Sequence, residues 1–461
     1  MPTEDGGAPR YRTLLLTLGL LTTITAIVSS LGAPLIPAIA DEHNVTLTEA
    51  QWALTATLLT AAVATPIIGR LGAGQMRRPT IITGLVIVTL GSMLAALPWG
   101  FAPLLIGRAM QGVGLALVPL AMAVARDVIR PPRISAVIAM LSVTAVAGTG
   151  LGYPLTAVVA QTWGLAAAYW MGAVLSACTL LMALSFVPRA QSVIRAPVDW
   201  AGAVMLSAGT GSTLLAVSRG ETWGWTSLRT VVLALVGLTF LVVWGRWSLR
   251  RDHPLVDLRL ATRSGIAAPN LVAFGGGIGM YTLLTLTIVL VQSSDPGWGL
   301  DHSVTVAGLM LVPYSLTSVV GSRLALAAGA KYGPDILLPL GSVVFMGSTL
   351  GLAFVHSNVY WALGWMAVGG LGSGFTFSSL AVLIVPHVPQ EETGSAMAFN
   401  MVLRYLGFSV GSAVSVTLMA VYGGGQQGFV WTLVTMAAVF AVVAVGAWLL
   451  TTRQRPPAVP A

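Results

Sequence analysis

Apolar runs recur along this chain from one end to the other, and that single feature leaves it few ways to fold. A helix crosses the bilayer core with about 20 mostly apolar residues. Fourteen such runs can be read, at 13–40, 48–71, 79–98, 101–124, 134–160, 165–186, 199–217, 230–247, 265–292, 303–328, 336–354, 359–385, 393–421 and 428–450. Spread over 461 residues they leave no room for a soluble domain of any size. The first run carries Pro34 and Pro37 and lacks a small-residue cleavage site, so it is expected to stay as a span and not to be a signal peptide. Only 8% of residues are charged, against about a quarter in a soluble domain. The expectation is an all-α integral membrane protein.

The sparse charges then set the orientation. With fourteen spans both ends lie on one side, and that side collects eighteen of the 23 basic residues, while Arg219 and Arg229 alone fall on the other. Basic residues gather in cytoplasmic loops, so both termini are expected in the cytoplasm, at the plasma membrane. The net charge of +8 is thereby explained without nucleic acid as a partner. Lys331 is the only lysine, and Cys178 is the only cysteine, so there is no disulfide framework and no thiolate metal site.

An internal duplication is legible. Gly112-x-Gly114 in run 4 returns as Gly370-x-Gly372 in run 12, 258 residues on. Gly148-x-x-x-Gly152 in run 5 returns as Gly407-x-x-x-Gly411 in run 13, at an offset of 259. Gly69-Arg70-Leu71 after run 2 is echoed by Ser322-Arg323-Leu324 in run 10, at 253. Close-packed helices favour small residues anyway, but chance packing does not explain a shared offset. The expected organisation is a tail at 1–12, a six-helix bundle at 13–187, a linker with an inserted helix pair (runs 7 and 8) at 188–264, a second bundle at 265–451 and a tail at 452–461. Two parallel halves around a central site are the plan of a secondary transporter.

These residues resemble the major facilitator superfamily, and within it the fourteen-helix drug:proton antiporter branch. Arg108-x-x-Gln111-Gly112-x-Gly114 is similar to the motif carrying the family's intramembrane arginine. Gly69-Arg70-Leu71-Gly72-Ala73-Gly74-Gln75-Met76-Arg77-Arg78 resembles its cytoplasmic gating loop, and Gly148-Thr149-Gly150-Leu151-Gly152-Tyr153-Pro154 its antiporter motif. Asp199-Trp200-Ala201-Gly202 and Pro254-Leu255-Val256-Asp257-Leu258 also look like this branch. The resemblance implies that Arg70, Arg77 and Arg78 form a cytoplasmic gate. It also exposes departures: Ala73 stands where the gate has an aspartate, Met76 where it has a glycine, and Thr25 about where run 1 carries an aspartate. A gate without its aspartate must be held otherwise, with Asp127 as the candidate.

Three arginines remain inside the membrane, namely Arg108, Arg323 and Arg404. An ionisable group at that depth is a functional hypothesis by default. Arg108 shares a helix face with Gln111, and Arg404 with Asn400. With Tyr153, these four are the candidate substrate-binding residues, against the plainer reading that they cap carbonyls and hold helices together. Arg323, near a span end, is expected to snorkel. All fifteen acids and all five histidines fall in loops or at span ends. Arginine cannot act as a proton carrier, so Asp41, Glu42 and Asp127 are the remaining candidates. A cavity with arginine and no carboxylate is expected to prefer neutral or anionic amphipathic substrates to quaternary ammonium compounds.

Two transporter readings stand. One is an exporter of small amphipathic drugs or natural products, coupled to protons; the other is a proton-independent facilitator or importer of a small metabolite. An intramembrane enzyme would need paired acids, a metal motif or a Ser–His arrangement at depth, and a membrane sensor would need an output domain. The sequence holds neither. No cofactor is called for, and the expected partners are a small molecule, the bilayer and protons, with the chain acting as a monomer.

Overall fold

The computed structural model describes residues 8–31, 35–45, 47–50, 52–129, 131–189, 199–252, 254–263, 265–295 and 297–452. The tail residues 1–7 and 453–461 lie outside that set, as do Arg130, Arg195, His253, Arg453, Arg455, Glu4 and Asp5 among the charges sorted above. In lipid, no water is at hand for exposed N–H and C=O groups, so apolar runs satisfy them internally as helices. Among the described residues there are helices and turns and no strand.

The long helices are α1 (Ala8–Ser30), α2 (Trp52–Leu71), α3 (Arg77–Ala96), α4 (Phe101–Val128), α5 (Pro131–Trp163), α6 (Leu165–Phe186) and α7 (Trp200–Trp223). They continue as α8 (Leu228–Arg250), α9 (Ala267–Gln292), α10 (Leu311–Tyr332), α11 (Leu337–Phe354), α12 (Val359–Ile384), α13 (Thr393–Val421) and α14 (Gly425–Thr452). Eleven helices among the described residues are long and apolar enough to cross a membrane. These do not include α1, α5 or α13, so the structure carries the expected fourteen spans only in part.

The first run is not one helix. It was expected over 13–40, but α1 ends at Ser30 and a separate short helix, Ile36–His43, follows with Pro37 in its first turn. Proline lacks the N–H an interior turn needs and fits only at a helix start. Leu35 and Ile39 bury this short helix against Leu104 and Tyr169, and Asp41 and Glu42 stay exposed at its far end. A second interruption falls within α4, where Val113–Leu117 tightens into a 3-10 turn between Phe101–Gly112 and Val118–Val128.

Contacts divide the chain into two compact units. The first comprises Met1–Ser207 with two short segments, Asp252–Leu255 and Pro389–Ala398. The second comprises Ala208–Arg251, Val256–Val388 and Phe399–Ala461. Within the first unit, α4 presses on α2 at Gly112, where an added Cβ would stand 2.3 Å from the Thr57 carbonyl oxygen. There α5 also meets α1 at Gly148, 2.6 Å by the same measure from the Thr23 oxygen. In the second unit α12 meets α10 at Gly370, 2.0 Å from the Tyr314 oxygen, and α13 meets α9 at Gly407, 2.3 Å from the Phe274 oxygen. Gly112, Gly148, Gly370 and Gly407 thus sit where a side chain cannot fit, whereas Gly114 and Gly372 are less tightly packed, with 3.1 Å to the nearest atom by the same measure.

The turns repeat as well. Gly74 (φ 54°) before α3 corresponds to Gly333 (φ 87°) before α11, and Gly164 (φ 89°) before α6 to Gly423 (φ 93°) before α14. These left-handed conformations suit glycine. In the second unit, α7 and α8 pair through Gly209 and Gly237, while α8 exposes Leu228, Leu235, Leu238 and Val242. Each unit also carries one singular reactive side chain. Cys178 lies exposed on α6 in the first, and Lys331 lies exposed at the end of α10 in the second, its ammonium 5.0 Å from the Tyr332 ring centre.

Candidate functional site

The first unit buries Arg108 completely. Its Nε donates to the Ala53 carbonyl of α2 at 3.1 Å, and Nη1 to the Val28 carbonyl of α1 at 3.0 Å and to Gln111 Oε1. Gln111 Nε2 in turn donates to Ser92 Oγ of α3 at 2.9 Å, and Thr57 Oγ1 donates to the Arg108 carbonyl at 3.0 Å. Four helices are tied at one point. Carbonyl dipoles compensate part of the cost of taking a charge out of water. Tyr153 of α5 and Tyr169 of α6 interact electrostatically with the guanidinium, and the Tyr169 hydroxyl is buried without a hydrogen-bond partner. Arg108, Gln111 and Tyr153 are therefore brought together, with the guanidinium held by the protein's own backbone.

At the end of the first unit that holds the 69–78 loop, the three expected gate arginines separate into different roles. Arg77 pairs with Asp127 and donates to the Gly72 carbonyl at 3.1 Å. Arg78 reaches the Leu184 carbonyl at 2.6 Å. Arg70, buried to 3%, pairs with Glu392 at 2.6 Å. Glu392 belongs to the segment Pro389–Ala398, which the same surface holds at three more points. Arg126 donates to the Pro389 carbonyl at 3.3 Å and to Thr393 Oγ1, and Gln390 Nε2 donates to Asp127 Oδ1 at 3.1 Å. Gly69 lets the backbone close in, since a Cβ there would stand 2.7 Å from that of Ala398. Sequence reasoning did not single out Glu392, Arg126, Gln390 or Thr393. The available signal was the acidic pair Glu391-Glu392 opening a run whose neighbour loop is basic.

In the second unit Asn400 is fully buried, and its Nδ2 donates to Asn270 Oδ1 of α9 at 3.0 Å and to the Pro269 carbonyl at 3.3 Å. It is not hydrogen-bonded to Arg404, although the two share a helix face. Arg404 stands apart. Its guanidinium carbon lies 4.9 Å from the ring centre of Phe377, and its Nε is buried without a hydrogen-bond partner. Tyr281 of α9 stacks on Phe408, with ring centres 4.5 Å apart, and Tyr405 meets Phe408 edge-on at 6.0 Å.

The remaining candidates lie at surfaces. Asp41, Glu42 and Asp127 are exposed at residue level, and Glu42 interacts electrostatically with Tyr169. Arg323 is exposed on α10. Among the described residues no group of three or more His, Cys, Asp or Glu side chains could hold a metal.

A bundle of apolar helices built on two copies of one glycine pattern, with arginines inside it, defines the class of multi-pass membrane transporters. The sequence model of the Major Facilitator Superfamily matches residues 18–299 and again 270–461, and the chain belongs to that family. It is 23% identical over 371 residues to Multidrug resistance protein 3 of Bacillus subtilis, covering 79% of this chain and 71% of that one. It is 27% identical over 409 residues to the "Probable actinorhodin transporter" of Streptomyces coelicolor, covering 85% and 69%. The crystal structure of the human organic anion transporter MFSD10 superposes with a TM-score of 0.67 at 16% identity, over 95% of this chain and 99% of that one, a likeness of fold.

Proposed function

We propose that this protein exports small amphipathic compounds, drugs or natural products, across the plasma membrane by alternating access. All fourteen long helices span the bilayer, with both termini in the cytoplasm. The working unit is the monomer, divided at 13–187, 188–264 and 265–451 between tails at 1–12 and 452–461. The observation that carries export is the antiporter-like segment of α5, whose Gly148 meets the α1 backbone at a distance that excludes any side chain. The relatives named for multidrug resistance and for actinorhodin transport support the same reading.

The 69–78 loop and its clasp on residues 389–398 form the cytoplasmic gate, with Arg70–Glu392 and Arg77–Asp127 serving where the usual aspartate is replaced by Ala73. Coupling is to protons. Glu42 is the carrier tested first, since it stands exposed at the end of the short helix whose Ile39 packs in one cluster with Tyr169. Reconstituted vesicles with an imposed pH gradient test this. Export is expected to follow the gradient in the wild type and in Asp41→Asn, and to lose that dependence in Glu42→Gln. Export indifferent to the gradient in the wild type favours the proton-independent facilitator, a reading that the absence of acids from the span interiors keeps in play.

A further inference from the structure

Arg404 is the one intramembrane cation that the helices around it leave unanswered. It lies eleven residues into α13, about 16 Å along the helix at 1.5 Å per residue. Among the described residues its guanidinium makes no hydrogen bond and no ion pair; the face of Phe377 lies at 4.9 Å, and the hydroxyl of the adjacent Tyr405 is likewise buried without a hydrogen bond. Asn400, one turn back, spends its Nδ2 on Asn270 Oδ1 and the Pro269 carbonyl, and its buried Oδ1 is not hydrogen-bonded to the guanidinium. A cation taken out of water without partners costs several kcal/mol, and the residue remains partly accessible. Such a group is left able to take an anion supplied from outside the chain.

What lies beside it selects the rest of that anion. One turn further along α13, Phe408 shares the face of Arg404 and stacks on Tyr281, and Tyr405 closes the cluster from its edge. This ledge is held rigidly. Here α9 approaches α13 with nothing between them, since a Cβ at Gly277 would stand 2.7 Å from the Arg404 carbonyl oxygen and 3.3 Å from Phe408 Cδ1. The ring of Phe377 lies against the guanidinium, whose buried Nε has no hydrogen-bond partner, and a guanidinium without partners is the group that a carboxylate or phenolate pairs with through charge-assisted hydrogen bonds. Flat aromatic surfaces favour a ring beside that charge.

Building on the reading of this chain as a transporter, we propose that Arg404, with Phe408 and Tyr281, is the subsite that recognises planar aromatic anions, the acid group on the guanidinium and the ring on the aromatic ledge. Arg108 does not share this task, because backbone carbonyls and Gln111 already engage it.

Binding to the full chain in lipid nanodiscs tests the assignment without any gradient. The probes are 2-naphthoate, its neutral isostere 2-naphthamide and the cation 2-naphthyltrimethylammonium, each measured by equilibrium dialysis. Naphthoate is expected to bind about tenfold or more tighter than the amide, as charge-assisted hydrogen bonds allow, and the cation weakest. Arg404→Gln is expected to abolish the naphthoate preference over the amide, Arg404→Lys to retain part of it, and Phe408→Leu to weaken both ligands alike. A naphthoate preference that survives Arg404→Gln, or a preference for the cation, overturns the proposal. Unchanged thermal stability in Arg404→Gln, with the partial rescue by Arg404→Lys, excludes misfolding as the cause. Export is scored separately in vesicles. If export persists while anion preference ignores Arg404, the subsite fails and the transporter reading stands. If the anion binds through Arg404 and nothing moves, the reverse holds.

Discussion

The two compact units use one packing scheme and two different chemistries. Gly112 on Thr57 and Gly370 on Tyr314 are the same contact made twice. Thr57 Oγ1 bonds the Arg108 carbonyl, and Thr317 Oγ1 bonds the Ala367 carbonyl at 2.6 Å, so each half carries a hydroxyl bridge at this crossing, though not between residues in exact register. The arginines are not repeated. The offset of 258 places Met366 opposite Arg108, where it accepts a hydrogen bond from Thr287 on its sulfur. One half has its cation tied by four helices, and the other keeps its cation open at a position of its own. Backbone contact constrains both copies alike, whereas polar side chains were free to diverge wherever they do not hold helices together.

Four measurements can break or sharpen that comparison. The largest effect is expected from Gly112→Val and Gly370→Val, each placing atoms within about 2 Å of a backbone oxygen. Each should cost more than ~4 kcal/mol and abolish monodisperse protein after solubilisation. Tolerance in one half alone would end the equivalence of the two scaffolds. Next comes Arg108→Gln, which removes the guanidinium's bonds to the Val28 and Ala53 carbonyls and unties α1 and α2 from α4; it should cost about 3 kcal/mol, read as a drop in thermal stability. The matching Arg404→Gln should cost nothing, since it removes a charge that no hydrogen bond supports. Equal losses at both sites would erase the distinction drawn here.

Smaller effects follow. Arg70 and Glu392 should show a coupling of about 1 kcal/mol in a double-mutant cycle, reduced by the 28% exposure of the glutamate. Substituting either residue should also make cysteines introduced near the 69–78 loop react faster with a water-soluble maleimide. The smallest losses, about 1 kcal/mol each, are expected for Thr57→Val and Thr317→Val. They should be equal within error if the bridges are true counterparts.

Much of this architecture is legible in the sequence because lipid enforces it. An apolar run must be a helix, and a glycine repeated at a fixed offset must have a physical reason, which here is a carbonyl oxygen under 3 Å from where a Cβ would stand. The start of a separate short helix at Ile36 was readable from Pro37, yet hydropathy alone runs straight through it. Glu392 escaped because its partner, Arg70, is more than 300 positions away in the chain, and no local spacing encodes such a pair. Arg108 and Arg404 look alike as isolated basic residues in apolar runs. Only the carbonyls of Val28 and Ala53, brought in by other helices, separate them, so burial of charge could be read in advance and its compensation could not.

The solitary Cys178 and the solitary Lys331 have a use beyond packing. Cys178 lies fourteen residues into α6, so a membrane-permeant thiol reagent reaches it and a charged one does not, whereas Lys331 at the end of α10 is open to amine reagents from water. The two side chains thereby report the lipid-facing depth of one unit and the aqueous edge of the other without a substitution.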